Sequence, residues 1–483
     1  MAMNVKIVLR VLGFLLFVEG VAMLLAFGIA LLYNEYDQSA FLISSGINIL
    51  LGGTIVYLTR NARRDIGRRE GYIIVSLVWL VFSFFGSLPY VISGAIPDFT
   101  NAFFETISGF TTTGSSILAD IESLPHGILF WRSITQWLGG MGIIVLSLAI
   151  LPVFGIGGMQ LFIAEVPGPT PDRISPRIRQ TAKTLWVIYL GFTVAETLLL
   201  WIGGMTLFDA VCHSFTTMAT GGFSTKQASI AYWSSPFIQY VIILFMFLAG
   251  TNFTLSYMAL RGNFKRVLHD EEFKYYGLFV LGFTLVISAG LLITTQLGVE
   301  NAFRDALFQV VSIMTTTGFA TVDYLTWAPV LTILLFGLFF FGGSAGSTGG
   351  SIKIMRIVLL LKNSYYELRR IIHPHAVIPV KFNRQSVDAK IINNVLAFFM
   401  FYFVIFGAST IVFSFIEPDM ESAMGAVATS LGNIGPGLGN VGPAENFLHI
   451  SPAGKWFLSF LMLLGRLELF TVLVIFSPSF WRE

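Results

Sequence analysis

The chain has 483 residues, of which 55% are hydrophobic and only 12% charged, with a formal net charge of +2. Soluble domains carry about 25% charged residues, so this balance, with repeated apolar runs of about 20 residues, places the chain in a bilayer. The weak net charge excludes a basic footprint for nucleic acid, and the single Cys212 excludes an internal disulfide and a cysteine-based zinc site.

Lys6 and Arg10 precede an apolar run that continues to Leu32 without a small-residue cleavage site. It reads as a first membrane helix rather than a removed signal. Residues 7–33 and 40–59 form a predicted two-span hairpin. Its turn, Tyr33 to Ser39, holds no Lys or Arg, whereas Arg60 to Glu70 holds five arginines. Basic loops stay in the cytoplasm, so this asymmetry predicts the orientation of the later spans.

Span 72–94, a loop segment 97–124 and span 128–154 come next. Residues 155–183 mix Arg173, Arg177, Arg179 and Lys183 with Pro167, Pro169, Pro171 and Pro176, and read as an irregular cytoplasmic connection. Spans 184–203 and 236–260 bracket a second loop segment. Spans 275–297 and 327–361 bracket a third, with 327–361 broken in its middle. Spans 391–416 and 453–477 bracket the fourth. The links between units carry Arg261, Lys265, Arg266 and Lys274, then Lys362, Arg369, Arg370, Lys381, Arg384 and Lys390. The four loop segments hold only Lys226 and Arg304 as basic residues. The loops are therefore expected outside and both termini inside, giving ten passes, one interrupted, and four re-entrant loops.

One pattern recurs in every loop segment: a short apolar helix, a polar turn and a glycine. The turns are Thr111-Thr112-Thr113-Gly114, Ala219-Thr220-Gly221-Gly222, Thr315-Thr316-Thr317-Gly318 and Gly432-Asn433-Ile434-Gly435. The second span of each unit has a glycine 24 to 30 residues later: Gly139-Gly140, Gly250, Gly342-Gly343 and Gly465. The expected fold is an all-α polytopic membrane protein. A hairpin, 1–70, precedes four span–pore loop–span repeats, 71–180, 181–272, 273–386 and 387–483, in pseudo-fourfold symmetry. The repeats share one orientation and are parallel, not inverted.

A helix of about 12 residues spans roughly 18 Å, too short for a hydrocarbon core of about 30 Å. It must stop midway, and the returning non-helical backbone is tolerated only inside protein or facing water. Glycine lets carbonyls point inward, and four such strands make carbonyl rings that replace a cation's hydration shell. Helix C-termini add negative partial charge. None of the four turns holds a carboxylate, which favours a monovalent ion over Ca²⁺ or Mg²⁺. One such turn alone is an ordinary polar turn; four at matching places are not.

Several motifs carry a family resemblance: Phe110-Thr-Thr-Thr-Gly114, Gly221-Gly-Phe-Ser224, Thr315-Thr-Thr-Gly-Phe319 and Asn433-Ile-Gly-Pro-Gly-Leu-Gly439. Further ones are Gln136-Trp-Leu-Gly-Gly-Met-Gly142, Gly342-Gly-Ser-Ala-Gly-Ser-Thr-Gly-Gly350, Gly465-Arg-Leu-Glu-Leu-Phe470 and Phe480-Trp-Arg-Glu483. The chain resembles the Trk/Ktr/HKT superfamily of potassium transporters over its whole length, most closely its TrkH-like branch. The resemblance implies K⁺ uptake across a bacterial inner membrane, some Na⁺ or Rb⁺ permeation, a homodimer and a cytoplasmic nucleotide-binding regulatory subunit, TrkA-like. The transported K⁺ is the only ligand expected; no organic cofactor is. Asn433-Ile434 departs from the Thr-Thr of other loops, so weaker K⁺/Na⁺ discrimination is expected than in a symmetric channel.

The run Phe339 to Lys353 interrupts the third unit's second span. Gly342, Gly343, Gly346, Gly349 and Gly350 oppose a continuous helix, and the run reads as an intramembrane gate loop or as a close-packing glycine patch. No Gly-Lys-Ser/Thr follows, so it is not a phosphate loop. Arg466 lies near the middle of the last span, where an arginine needs partners and suggests function. It is expected to bond carbonyls of the 342–350 loop or to raise an electrostatic barrier; a structural ion pair, with Glu468 or another group, is the plainer role. Lys353 acts similarly or snorkels to the cytoplasm. Glu105 and Asp209 anchor the short helices or enrich cations at the mouth, and His213 is structural. His373 and His375 read as solvated surface rather than a metal site. An H⁺- or Na⁺-coupled symporter is the second transport reading, with Glu196 and Glu468 as its carboxylates. A membrane enzyme would need catalytic carboxylates or histidines clustered at one face, and none stands out.

Overall fold

The computed structural model describes residues 3–62, 67–142, 178–376 and 378–481. The second half of span 128–154 and the basic connection up to 177 lie outside them. Helix α1 (Val5–Tyr33) starts where the Asn4 side chain accepts the Ile7 amide and ends at left-handed Asn34. It pairs with α2 (Gln38–Leu58) through small residues. Ser45 Oγ donates to the Gly20 carbonyl at 2.7 Å, and a Cβ on Gly52 would lie 2.7 Å from the Phe17 nitrogen. Without water to drive helices together, such close backbone approach is what membrane helices use.

The first repeat comprises α3 (Arg68–Gly86), continued by α4 (Leu88–Ser93), the half helix α5 (Phe99–Phe110) and α6 (His126–Gly140). The second has α7 (Ile178–Ile202), half helix α8 (Leu207–Met218), α9 (Pro236–Ala249) and α10 (Phe253–Leu260). After the linking helix α11 (Phe264–His269), the third has α12 (Glu271–Thr294), half helix α13 (Val299–Met314), α14 (Pro329–Leu338) and α15 (Ile354–Ile372). A two-stranded ribbon, β1 (Lys381–Phe382) and β2 (Gln385–Ser386), pairs Lys381 with Ser386. The fourth repeat has α16 (Ala389–Phe413), half helix α17 (Met420–Gly432), α18 (Pro452–Arg466) and α19 (Phe470–Leu473). The short α20 (Pro478–Trp481) ends the described chain.

The half helices have 12, 12, 16 and 13 residues, each short of a full crossing. Three begin with a side-chain cap: Asp98 accepts from Asn101, Thr206 from Asp209 and Asp419 from Ser422. Ala102 to Phe110 are buried without interruption, as expected for helices at the centre of a bundle. The Asn4 amide bonds the Glu70 carboxylate and Phe480 packs on Tyr72, so both described ends meet at the foot of α3.

Among the described residues, six helices are long and apolar enough to cross a membrane. The expected break in 327–361 is present between Leu338 and Ile354. Two further breaks correct the sequence reading. Spans 236–260 and 453–477 are not straight: they bend by 110° and 109° after Ala249 and Arg466. The mid-span glycines explain the close packing at these points. A Cβ on Gly250 would lie 2.7 Å from Thr315 Cγ2 and one on Gly140 2.8 Å from the Ala219 Cβ. A Cβ on Gly139 or Gly465 would collide with the Phe110 or Leu431 carbonyl. The second spans of the first, second and fourth repeats therefore pass tightly against the inner tip of a half helix.

Candidate ion pathway at the centre of the four repeats

Each half helix ends in the same cap. In the first, Thr113 N donates to the Ser108 carbonyl at 2.8 Å and Thr112 N to Gly109 at 2.9 Å. In the second, Gly221 N reaches Thr216 and Thr220 N reaches Thr217, both at 2.8 Å. In the third, Thr317 N reaches Ser312 at 2.8 Å and Thr316 N reaches Ile313 at 2.9 Å. In the fourth, Ile434 N reaches Thr429 at 3.0 Å. This is the Schellman arrangement, which requires a left-handed residue just past the helix. That residue is Thr112, Thr220, Thr316 or Asn433, with φ of 54°, 53°, 60° and 53°. A β-branched residue there is an outlier that surrounding structure must hold. Two residues on, Gly114, Gly222, Gly318 and Gly435 are again left-handed, with φ of 83°, 77°, 80° and 103°.

The four turns close into a ring. A Cβ added to Gly114 would collide with the Gly221 carbonyl oxygen, one on Gly222 with Thr317, and one on Gly318 with Ile434. On Gly435 it would lie 3.0 Å from the Thr113 oxygen, completing the circuit. All four glycines line one cavity of about 80 Å³, with Ser115, Ser224, Lys226 and Glu445 at its walls. The repeats are also stitched pairwise. Gln136 Nε2 donates to the Gly221 carbonyl at 2.7 Å and its Oε1 accepts the Phe223 amide at 3.0 Å. Ala231 N reaches Ala320 O at 3.1 Å, and the Tyr324 hydroxyl reaches Gly437 O at 2.8 Å. Asn433 Nδ2 reaches Thr113 Oγ1 at 2.9 Å. Thr111 and Thr315 each bond the Thr two residues on, Thr113 and Thr317, at 2.8 Å; Ala219 and Gly432 have no hydroxyl to do so.

Polar side chains on the half helices hold the outgoing strands. Glu105 Oε2 accepts the Ile117 amide at 2.9 Å, and its Oε1 accepts Arg132 Nε at 2.6 Å. Arg132 also donates to the Ser224 carbonyl at 2.8 Å and stacks 3.7 Å over the Phe223 ring. One hydrogen bond joins His213 to Ser224 Oγ at 2.9 Å, and Asp209 accepts from Thr225 at 2.6 Å. The anchoring reading of Glu105 and Asp209, and the structural one of His213, match these contacts.

The glycine-rich run lies directly beneath the ring. Gly342 N bonds Ile352 O at 2.8 Å, and the Gly343 carbonyl accepts Ile354 N at 3.2 Å. Left-handed Gly346 gives its carbonyl to Phe253 N at 3.2 Å. Gly349 sits where a Cβ would be 2.9 Å from the Thr315 carbonyl, and Gly350 N donates to Thr316 Oγ1 at 2.7 Å. Lys353 Nζ folds back on the Gly349 carbonyl. Ser344 N reaches Gly250 O at 2.8 Å, and Thr348 N reaches Ala249 O at 3.3 Å. The carbonyls exposed by the break in the second repeat are thus satisfied by the break in the third, as buried backbone requires.

Arg466 bonds carbonyls of the first repeat. Its Nη2 donates to the Gly139 and Gly140 carbonyls at 2.6 and 3.1 Å. Its Nη1 donates to the Thr348 carbonyl at 2.8 Å and to Thr112 Oγ1 at 3.2 Å. The expected bond to the 342–350 loop is there. Glu468 pairs instead with Arg356.

A family model described as a cation transport protein, TrkH, matches residues 37–483. The chain belongs to the TrkH family. It is 42% identical over 492 residues to the Trk system potassium uptake protein TrkH of Escherichia coli (strain K12), covering 100% of both chains. The Trk system potassium uptake protein TrkG of the same strain is 34% identical over 483 residues, 99% of each. The crystal structure of the potassium transporter TrkH from Vibrio parahaemolyticus superposes with a TM-score of 0.90 at 39% identity, covering 99% of this chain and 100% of that one. The expected family and fold are borne out. Within this TrkH-family chain, sequence reasoning passed over Arg132 and the gripping role of Gln136. The rule that singles out Arg466, an arginine inside an apolar span, also applies to Arg132.

Proposed function

We propose that this TrkH-family chain takes up K⁺ across a bacterial cytoplasmic membrane through the ring of four turns. The ring acts as a selectivity filter built from Thr111 to Gly114, Ala219 to Gly222, Thr315 to Gly318 and Gly432 to Gly435. The observation that carries this reading is the cyclic approach of each turn's glycine to the next turn's carbonyl. With the turn amides engaged by their own half helices, carbonyls are left to replace the ion's hydration shell. The helix ends add negative partial charge at the same depth. Loop 342–350 with Lys353 and Arg466 forms the gate, since it crosses the axis below the filter and Arg466 places a cation there. Flux is channel-like, down the electrochemical gradient. Asn433 and Ile434 make the ring unequal and weaken K⁺/Na⁺ discrimination. Both termini lie in the cytoplasm, by the distribution of basic loops. The working unit is a homodimer joined by a cytoplasmic nucleotide-binding subunit; membership of a family whose relatives are named as parts of a Trk system supports such a partner.

A coupled symporter is the second reading. Glu196 on α7 favours it: its carboxylate is fully buried away from any cation among the described residues, beside the Thr217 hydroxyl. Glu468 favours it less, being paired with Arg356. Radiolabelled Rb⁺ uptake into liposomes holding the purified chain separates the two. Uptake driven by a K⁺ gradient alone, raised about tenfold in Arg466→Ala by loss of a charged hydrogen-bond donor at the block, supports the gated channel. Uptake that requires a proton or Na⁺ gradient and disappears in Glu196→Gln overturns it.

A further inference from the structure

We infer that Glu272, in the first turn of α12, is a positioning residue that latches loop 342–350 in its blocking place. The inference rests on the reading of that loop as the gate. One carboxylate oxygen, Oε1, accepts two backbone amides: Ala345 N at 2.7 Å and Met355 N at 3.2 Å. Ala345 is inside the glycine-rich loop and Met355 in the first turn of α15. A single oxygen therefore ties the interior of the loop to the start of the helix that follows it. Glu272 is buried, with only 4% exposure, so water does not compete for these bonds.

The local chemistry suits a carboxylate. The first amides of a helix lack intrahelical partners, and α15 has no side-chain cap of its own, its N-cap position being Lys353. Glu272 supplies that acceptor from another element, and the helix dipole favours its charge. Among the described residues, no other side chain accepts both the Ala345 and the Met355 amide. The loop's further bonds include Ser344 N on Gly250 O, Thr348 N on Ala249 O, Gly350 N on Thr316 Oγ1 and Arg466 on the Thr348 carbonyl.

The same turn of α12 is hooked to the ribbon. Asn383 Oδ1 accepts the Glu271 amide and its Nδ2 donates to Asp270 Oδ2, both at 2.8 Å. Lys362 of α15 pairs with Glu271 and donates to the Lys381 carbonyl at 3.0 Å. Displacing the ribbon would shift Glu272 by way of its two neighbours, Asp270 and Glu271. The latch thus lies between the loop and the surface next to the basic segment.

The test is Rb⁺ uptake by the full chain in liposomes without any partner. Glu272→Ala is expected to raise flux about tenfold, the size set by losing a hydrogen bond to a charged group, with the half-saturating K⁺ concentration and the Na⁺/K⁺ ratio unchanged. Glu272→Gln is expected to stay near wild-type flux, because its amide oxygen can accept the same two bonds. A role confined to folding would lower the yield of folded chain and leave flux per folded molecule alone. If Glu272→Ala does not fold, Glu272→Asp keeps the charge one methylene short of the two amides: raised flux supports the latch, wild-type flux overturns it. Arg466→Ala is measured alongside. Raised flux there with none in the Glu272 variants overturns the latch alone, whereas silence in Arg466→Ala removes the gate reading beneath it.

Discussion

The ring of turns and the loop beneath it are both made of glycine and small polar residues, yet their backbone bonds go to different places. In the ring, the amides of Thr112, Thr113, Thr220, Gly221, Thr316 and Thr317 return to their own half helices. Moving such a turn means unwinding a buried helix end. In the loop, Ser344 N goes to Gly250 O, Gly350 N to Thr316 Oγ1, Ala345 N to Glu272 and the Thr348 carbonyl to Arg466. These are bonds to other elements, and they can be exchanged one at a time. Where the backbone bonds end, more than the glycine content, separates a frame held by its own helices from a loop held by its neighbours.

The sharpest way to break the frame is to remove what clamps it. Arg132 and Glu105 form a buried ion pair, with side-chain exposures of 3% and 0%. Arg132→Ala strands the carboxylate, and breaking one side of such a pair costs about 3–5 kcal/mol. The expected outcome is a large fall in the thermal midpoint of the detergent-solubilised protein. Among the described residues, the loop is held by several separate bonds rather than by one buried ion pair, so single loop variants should lower that midpoint less than Arg132→Ala does. A small shift for Arg132→Ala would mean that the frame is held by the caps alone.

Next in size is Gly318→Ser. It puts a side chain at φ 80° and against the Ile434 carbonyl. The left-handed conformation alone costs about 1–2 kcal/mol, and the collision spoils the ring where the third repeat meets the fourth. K⁺ uptake is expected to fall by at least about tenfold, with Na⁺ admitted relatively better. A chain with some other membrane activity would be indifferent to this change. Unaltered Na⁺/K⁺ preference in folded Gly318→Ser would remove the ring from the ion path.

Much of this frame was legible in the sequence, because its signals are local. A short apolar helix before a polar turn and glycine, placed between long spans, can only be a half crossing. Basic residues crowd the alternate links. The run Gly342 to Gly350 announces its own break. The bends after Ala249 and Arg466 gave no such notice: a lone glycine in an apolar run looks the same whether the helix continues or turns. What decides is the half-helix tip packed against Gly250 or Gly465 and the exchange of backbone bonds with a distant loop. The left-handed Thr112, Thr220 and Thr316 were equally hidden, since a β-branched residue argues against that conformation; only Asn433 favours it. Glu272 sits in a helix start rich in acidic residues, Asp270 to Glu272, and its two amide partners are more than seventy residues away.

The fourth turn is the mildest test of the comparison, because it differs from its neighbours by chemistry rather than backbone. Asn433 has the same φ as Thr112 and Thr220 to within a degree, but its Nδ2 bridges Thr113 Oγ1 and the Met462 carbonyl, both at 2.9 Å. Asn433→Ala removes that bridge and leaves a residue that tolerates the left-handed region less well, together about 1 kcal/mol. K⁺ preference over Na⁺ is expected to fall about fivefold in flux-ratio measurements, with folding intact. Asn433→Thr restores the residue used by the other three turns. If it raises K⁺ preference above wild type, the unequal fourth turn sets the limit on selectivity. If neither variant moves the ratio, selectivity resides in the backbone carbonyls, and the four turns are equivalent in spite of their sequences.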